Sequence, residues 1–208
     1  MNYYTDFLPI IKRPYKKWFE MYQEGDKSLD KYLYGMIENK LTENEVTPIL
    51  AFTAQKSNWV NRTLRNGDLL NEINKKEYVE HLDAVLEKIK SPTEKFVYRM
   101  ESEPNEKEIL KWFQNNIGVN ICVPYFLSTS KYKWEWESLI WEIEILSNNS
   151  FAKDISNISV NPSEREVLFK RNSKFVISDV HDNVISLREL RDTTFTRIEL
   201  IGAYYLNN

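Results

Sequence analysis

A single cysteine, Cys122, stands in 208 residues, so no internal disulfide framework can staple this chain. It lies in the apolar run around CVP, which reads as a small buried side chain in a reducing compartment rather than a reactive thiol. Histidine is nearly as scarce. With only His81 and His181 there is no zinc-ligand spacing and no H-E-x-x-H, and no metal is expected. The five glycines form neither a Walker-type loop nor G-x-G-x-x-G, so any phosphate must be gripped by other means. No segment approaches the roughly 20 apolar residues of a membrane helix, and no membrane partner is expected. The N-terminus, MNYYTDFLPIIKRPYKKWFEMYQ, lacks the basic-then-apolar order of a secretory signal. Positive charge has no excess either. The formal net charge of -3 does not indicate whole-molecule attraction to nucleic acid or an anionic membrane.

What the chain has is a hydrophobic content of 42%, enough for one large or two small domains with a real core. Its first half reads as helical. In SLDKYLYGMIENKL the residues Leu29, Tyr32, Leu33, Met36 and Ile37 recur at three and four, with Ser28 as N-cap. The spacing returns in EYVEHLDAVLEKIK through Tyr78, Leu82, Val85, Leu86 and Ile89, and ends before Pro92. His81 on this segment reads as a partly exposed structural histidine. Tyr15, Trp18, Phe19 and Tyr22 read as a further buried helical face.

From residue 96 the period changes to two. FVYRM (96–100), VNICVPYFL (119–127), SLIWEIEIL (138–146), VLF (167–169), KFVISDV (174–180) and TRIELIGAYYL (196–206) are β-rich, interrupted by one helix, NEKEILKWF (105–113). Leu139, Trp141, Ile143 and Ile145 would share one face of a half-buried strand, with Glu142 and Glu144 on the other. The expectation is an α+β protein, a single domain over 1–208 with a helical part to about 92 and a strand-rich part from about 93.

Three polar features sit oddly in this pattern. Arg99 lies inside FVYRM, and a buried arginine wants an anion, whether from a ligand or an internal salt bridge. Ser128, Thr129 and Ser130 end the strand VPYFL, where hydroxyls serve turns and caps as well as sites. Glu164 and Glu166 stand one residue apart before VLF. If that stretch is extended, both carboxylates project to one side, where a pair about 4 Å apart would repel by about 4 kcal/mol at an effective dielectric near 20. Such a pair needs something polar shared between its members, or else it is a charged, solvated strand edge.

Taken in order, VYR (Tyr98, Arg99), FLSTS (Phe126 to Ser130) and SEREVLFKRNSKFVI (Ser163 to Ile177) resemble the arginine-serine-glutamate class of mono-ADP-ribosyltransferases. This is the family of clostridial actin-modifying toxins and vertebrate arginine-specific transferases. Upstream, AFTAQKSNWVNRTLRNG (51–67) resembles the family's helix with an aromatic-Thr pair and then Asn-x-x-Leu-Arg, here Phe52, Thr53, Asn61, Leu64 and Arg65. The resemblance implies a helical N-terminal portion followed by two packed, mainly antiparallel sheets. It implies NAD as co-substrate, cleaved at the nicotinamide-ribose bond. It places Arg99 on a phosphate of NAD, with Tyr98, Ser128, Thr129, Ser130, Asn61 and Arg65 as further cofactor-binding positions. Ser128 would brace the site near the nicotinamide ribose, Glu166 would be the catalytic glutamate, and Glu164 would face the acceptor. An E-x-E pattern in this family usually accompanies arginine as target. Met100 and Ser57 depart from the pattern, standing where glycine and an aromatic ring are common. In KYKWEWE, Trp134 and Trp136 read as core or interface packing before any ligand role.

The absences fit this chemistry. Nicotinamide leaves as a neutral base without metal help, and a fixed carboxylate stabilises the oxocarbenium charge that develops on the ribose. The resulting expectation is a transferase acting on protein arginine, a bacterial or phage toxin or effector, cytoplasmic or delivered into a target-cell cytoplasm, with an antitoxin or immunity protein as a further partner. A nucleic-acid acceptor met by Lys131, Lys133 and the two tryptophans is a second reading. A non-enzymatic NAD-binding or partner-binding module and a plain NAD glycohydrolase are the third and fourth.

Overall fold

The computed structural model describes residues 35–36, 38–53, 57–67, 73–102, 105–134, 139–147, 149–191 and 199–200. The N-terminal aromatic face, most of the helix expected at SLDKYLYGMIENKL, Trp136 and most of TRIELIGAYYL lie outside them. The chain divides into two compact units, Met1–Lys90 with Ile155–Glu164, and Ser91–Asp154 with Arg165–Asn208.

The first unit is helical among its described residues, with α1 (Glu43–Ala51), α2 (Ser57–Asn66) and α3 (Ile73–Leu86). A capping box starts α1. Thr42 Oγ1 accepts from the Glu45 N–H at 3.4 Å, and the Glu45 carboxylate accepts from the Thr42 N–H at 2.8 Å. Val46, Ile49 and Leu50 of α1 and Tyr78, Val79, Leu82, Val85 and Leu86 of α3 are all buried, and the Tyr78 hydroxyl donates to the Pro48 carbonyl at 2.8 Å. That bond joins two helices through an acceptor inside α1. The periodicity in EYVEHLDAVLEKIK thus marks a real helix, which begins four residues earlier and closes through turns at Lys88 and Ile89. His81 is half-buried on it, and burial pushes its imidazolium below its ordinary pKa, which fits the structural reading. Helix α2 ends at Gly67, whose φ of 72° supplies the left-handed residue that a helix C-terminus favours. Thr53, just past α1, donates to the Leu50 carbonyl and accepts from the Val160 N–H at 3.1 Å, tying the 155–164 segment to the helices of the same unit.

The second unit holds β1 (Phe96–Glu101), α4 (Glu106–Asn115), β2 (Asn120–Val123), β3 (Leu127–Ser130), β4 (Leu139–Glu144), β5 (Ala152–Asp154), β6 (Glu166–Phe169), β7 (Ser173–His181), β8 (Val184–Leu190) and β9 (Glu199–Leu200). The strands run in the order β5-β6-β3-β1-β4-β8-β7-β2-β9. All neighbours are antiparallel except β4 with β8 and β2 with β9. The α+β class with mainly antiparallel pairing is therefore observed. One refinement concerns continuity, since hydrogen bonds join the strands into one sheet where two were expected.

Strand β4 shows why the apolar pattern works. Leu139, Trp141 and Ile143 are fully buried, Glu142 and Glu144 are half-exposed, and α4 covers the strand by setting Phe113 edge-on to Trp141 at 5.5 Å. Cys122 is buried in β2, and burial pushes its thiol pKa up, as an inert side chain requires. Strand β8 was not foreseen, although it lies in the middle of the sheet. Its inward positions run Ile185, Leu187 and Glu189, and the glutamate hides the alternation. Glu189 is buried because it pins the β4–β5 loop, accepting from the Leu146 and Phe151 N–H groups and from the Ser150 hydroxyl at 2.6–2.9 Å. Burial raises its pKa above the ordinary carboxylate value.

Candidate active site

The order β6-β3-β1-β4 brings the sequence-singled strands side by side. Glu142, Tyr98, Ser130 and Glu166 form one transverse row, each the Cα partner of the next. They therefore share a face of the sheet. Ser128 precedes Ser130 by two and belongs to the same face. Its hydroxyl donates to Glu166 Oε1 at 2.6 Å, and Glu166 is only 5% exposed. A carboxylate so enclosed keeps its place through such bonds.

Arg99 joins this cluster through the backbone. Its Nη1 donates to the Ser128 carbonyl at 2.9 Å while its Nε meets Glu101 Oε1 at 2.5 Å. The Arg99 side chain is 21% exposed, and Glu101, which the sequence pattern left unnamed, supplies an anion for an arginine in FVYRM. Alternation alone would have found it, because residues 99 and 101 of a strand face the same way. The Tyr98 phenol is held above its ordinary pKa by burial, with the Glu142 charge adding to the effect, so it stays protonated.

The other hydroxyls of STS have backbone duties. Thr129 Oγ1 donates to the Val167 carbonyl at 2.7 Å and locks β3 to β6, while Ser130 Oγ accepts from the Tyr132 N–H at 3.1 Å and caps the turn.

The remaining expected residues belong to the other unit. Asn61 and Arg65 lie one turn apart on α2, the first buried and the second half-buried. Glu164 ends a 3₁₀ turn, Pro162–Glu164, and is exposed, with its carboxylate accepting from Asn161 Nδ2 at 2.8 Å. This corrects the extended reading of Glu164–Phe169. Asn161 also accepts from the Ser163 hydroxyl, so its side chain closes a turn, and Arg165 follows with φ at 48°. The strand begins only at Glu166, and alternation cannot relate the two carboxylates.

Lys131 is corrected as well. Its ammonium pairs with Asp154 at 2.6 Å and Glu94 at 3.5 Å and is 15% exposed, so its charge is neutralised within the unit rather than offered to nucleic acid. Trp134 is 37% exposed, which rules out core packing for it. Among the described residues there is no group of three or more His, Cys, Asp or Glu able to hold a metal, and no helix long and apolar enough to cross a membrane.

Sequence comparison with the curated proteins finds no match. Among solved structures, the chain is similar to Plx2a, an ADP-ribosyltransferase toxin from Paenibacillus larvae, with a TM-score of 0.64 at 20% identity over 84% of this chain and 97% of that one. It is also similar to the ADP-ribosyltransferase Vis of Vibrio splendidus, solved in complex with agmatine, with a TM-score of 0.61 at 19% identity over 83% and 89%. C3stau2 from S. aureus, solved with NAD, gives a TM-score of 0.61 at 16% identity over 80% and 95%. These likenesses establish the fold. A family model for the ADP-ribosyltransferase exoenzymes matches residues 26–201, and the chain belongs to that family.

Proposed function

We propose that this NAD-dependent transferase moves a single ADP-ribose from NAD to arginine side chains of a protein acceptor, acting as a toxin or effector in a target-cell cytoplasm, with residues 1–208 as one catalytic domain. The observation that carries the reading is the buried Glu166 carboxylate held by the Ser128 hydroxyl at 2.6 Å. NAD supplies a glycosidic bond to a neutral leaving group, and the ribose gains positive charge as that bond breaks. Glu166, prevented from swinging by Ser128, offers a preorganised carboxylate for that moment.

The donor set suits a dinucleotide. Arg99 presents a guanidinium fork between Glu101 and the β3 backbone, and a phosphate would compete with Glu101 for it. Tyr98 in the same row remains a hydroxyl donor, and Asn61 and Arg65 on α2 are taken as further contacts. Glu164 is exposed on its turn and suits an incoming guanidinium, whose planar donors a carboxylate accepts in pairs. Agmatine, bound by Vis, carries a guanidinium, which supports arginine as the acceptor class. The internal neutralisation of Lys131 weakens the nucleic-acid reading. Water replacing the acceptor would give a slow NAD glycohydrolase side reaction.

The test is transfer of label from ADP-ribose-labelled NAD into a cell lysate. Label in protease-sensitive material, lost on mild hydroxylamine release of arginine-linked ADP-ribose, is expected. Label in nuclease-sensitive material, or none, would overturn the assignment.

A further inference from the structure

We infer that Arg165 and Tyr132 form a clamp that positions Glu166 from outside the site, an inference resting on the catalytic reading of Glu166. Glu166 is the first residue of β6, and a strand's first residue frays unless something ties the chain before it. What precedes it is strained. Arg165 has φ at 48°, a left-handed conformation that costs a non-glycine residue free energy and persists only where the surroundings enforce it.

Two successive residues just past the end of β3 enforce it. The Lys131 N–H donates to the Arg165 carbonyl at 3.1 Å, which adds a rung to the ladder just beyond the Ser130–Glu166 pair. The Arg165 guanidinium lies over the Tyr132 ring, 5.9 Å from its centroid, in cation–π range. Both anchors are themselves tethered. Tyr132 is aimed by the bond from its N–H to Ser130 Oγ, and the Lys131 side chain is held by Asp154 and Glu94. Ring and backbone thus grip the left-handed residue from one side, and Glu166 enters the sheet in the orientation that meets Ser128.

Tyr132 is 55% exposed and Arg165 is exposed too, so their contact adds little to global stability. That makes the clamp separable from folding. A carboxylate displaced by about 1 Å loses a large part of its effect on a developing charge. Tyr132→Ala and Arg165→Ala are each expected to lower kcat for NAD cleavage about 10-fold while KM for NAD stays within about two-fold, and the double variant should fall no further than either single one. Tyr132→Phe keeps the ring and should retain wild-type kcat.

Amide hydrogen exchange at Lys131, measured on the same proteins, reads the clamp without reference to activity. Exchange about 10-fold faster in both alanine variants, near wild type in Tyr132→Phe, is expected alongside the kcat loss. Unchanged exchange at Lys131 overturns the clamp whatever the activities show. Faster exchange with unchanged kcat, or with a rise in KM alone, overturns its positioning role. Faster exchange in a protein whose wild type shows no Glu166-dependent NAD cleavage overturns the catalytic reading itself, and the positioning role falls with it.

Discussion

Ser128 and Glu166 are not register partners, yet the hydroxyl of the first donates to the carboxylate of the second at 2.6 Å. Glu166 faces Ser130 directly, and Ser128 reaches it on the diagonal, the longer of the two cross-strand routes on one face. Ser130 Oγ accepts from the Tyr132 N–H and caps the turn that follows. Ser128→Ala should therefore act on the carboxylate and not on the turn. Transfer is expected to fall by roughly 10-fold to 100-fold, with a stability loss of about 1 kcal/mol, read from kcat and from urea denaturation.

Arg99 stands between two claims. Removing it should raise KM for NAD by roughly 10-fold or more, because a charge-assisted phosphate contact is lost. Glu101→Gln should do the opposite and lower KM severalfold, since the competing carboxylate 2.5 Å from Nε is gone. Initial-rate kinetics on both variants check the pair. A rise in KM for Glu101→Gln would mean that the carboxylate serves to orient the guanidinium.

Glu164 is assigned to the acceptor alone. Glu164→Ala should abolish transfer to protein while retaining acceptor-independent release of nicotinamide. Parallel loss of both reactions would contradict the division of labour between the two glutamates.

Stability should carry an acid signature from the start of α1. The Lys88 ammonium first, and then the Thr42 N–H, hold the Glu45 carboxyl down from 4.5 to about 2. Because the folded state binds this proton more weakly than the unfolded chain, the contribution is present above about pH 4.5 and is lost as pH falls toward 2. The gap in Tm between wild type and Glu45→Ala should shrink across that window. A gap independent of pH would show that packing, not the charge, distinguishes the two proteins.

The sequence made much of this legible, for reasons that differ between elements. Periodicity exposed α3 and β4 because their buried faces are unbroken runs of Tyr78, Leu82, Val85 and Leu86, and of Leu139, Trp141 and Ile143. It failed at β8, where a buried Glu189 with three donors of its own occupies an inward position. It failed again at Glu164–Glu166, where a side-chain bond from Asn161 and the left-handed Arg165 override the period of two. Arg99, Ser128 and Glu166 stand out as polar residues set oddly beside apolar runs, and the resemblance assigns their roles. That they are linked by hydrogen bonds depends on the strand order β6-β3-β1, which no local pattern encodes.

Glu166→Gln isolates the role of the buried carboxylate. It keeps the shape and an acceptor for the Ser128 hydroxyl while removing the charge. With purified protein, labelled NAD and agmatine as acceptor, ADP-ribosyl transfer should fall by about 100-fold or more at an unchanged Tm. Transfer at the wild-type rate would contradict that role.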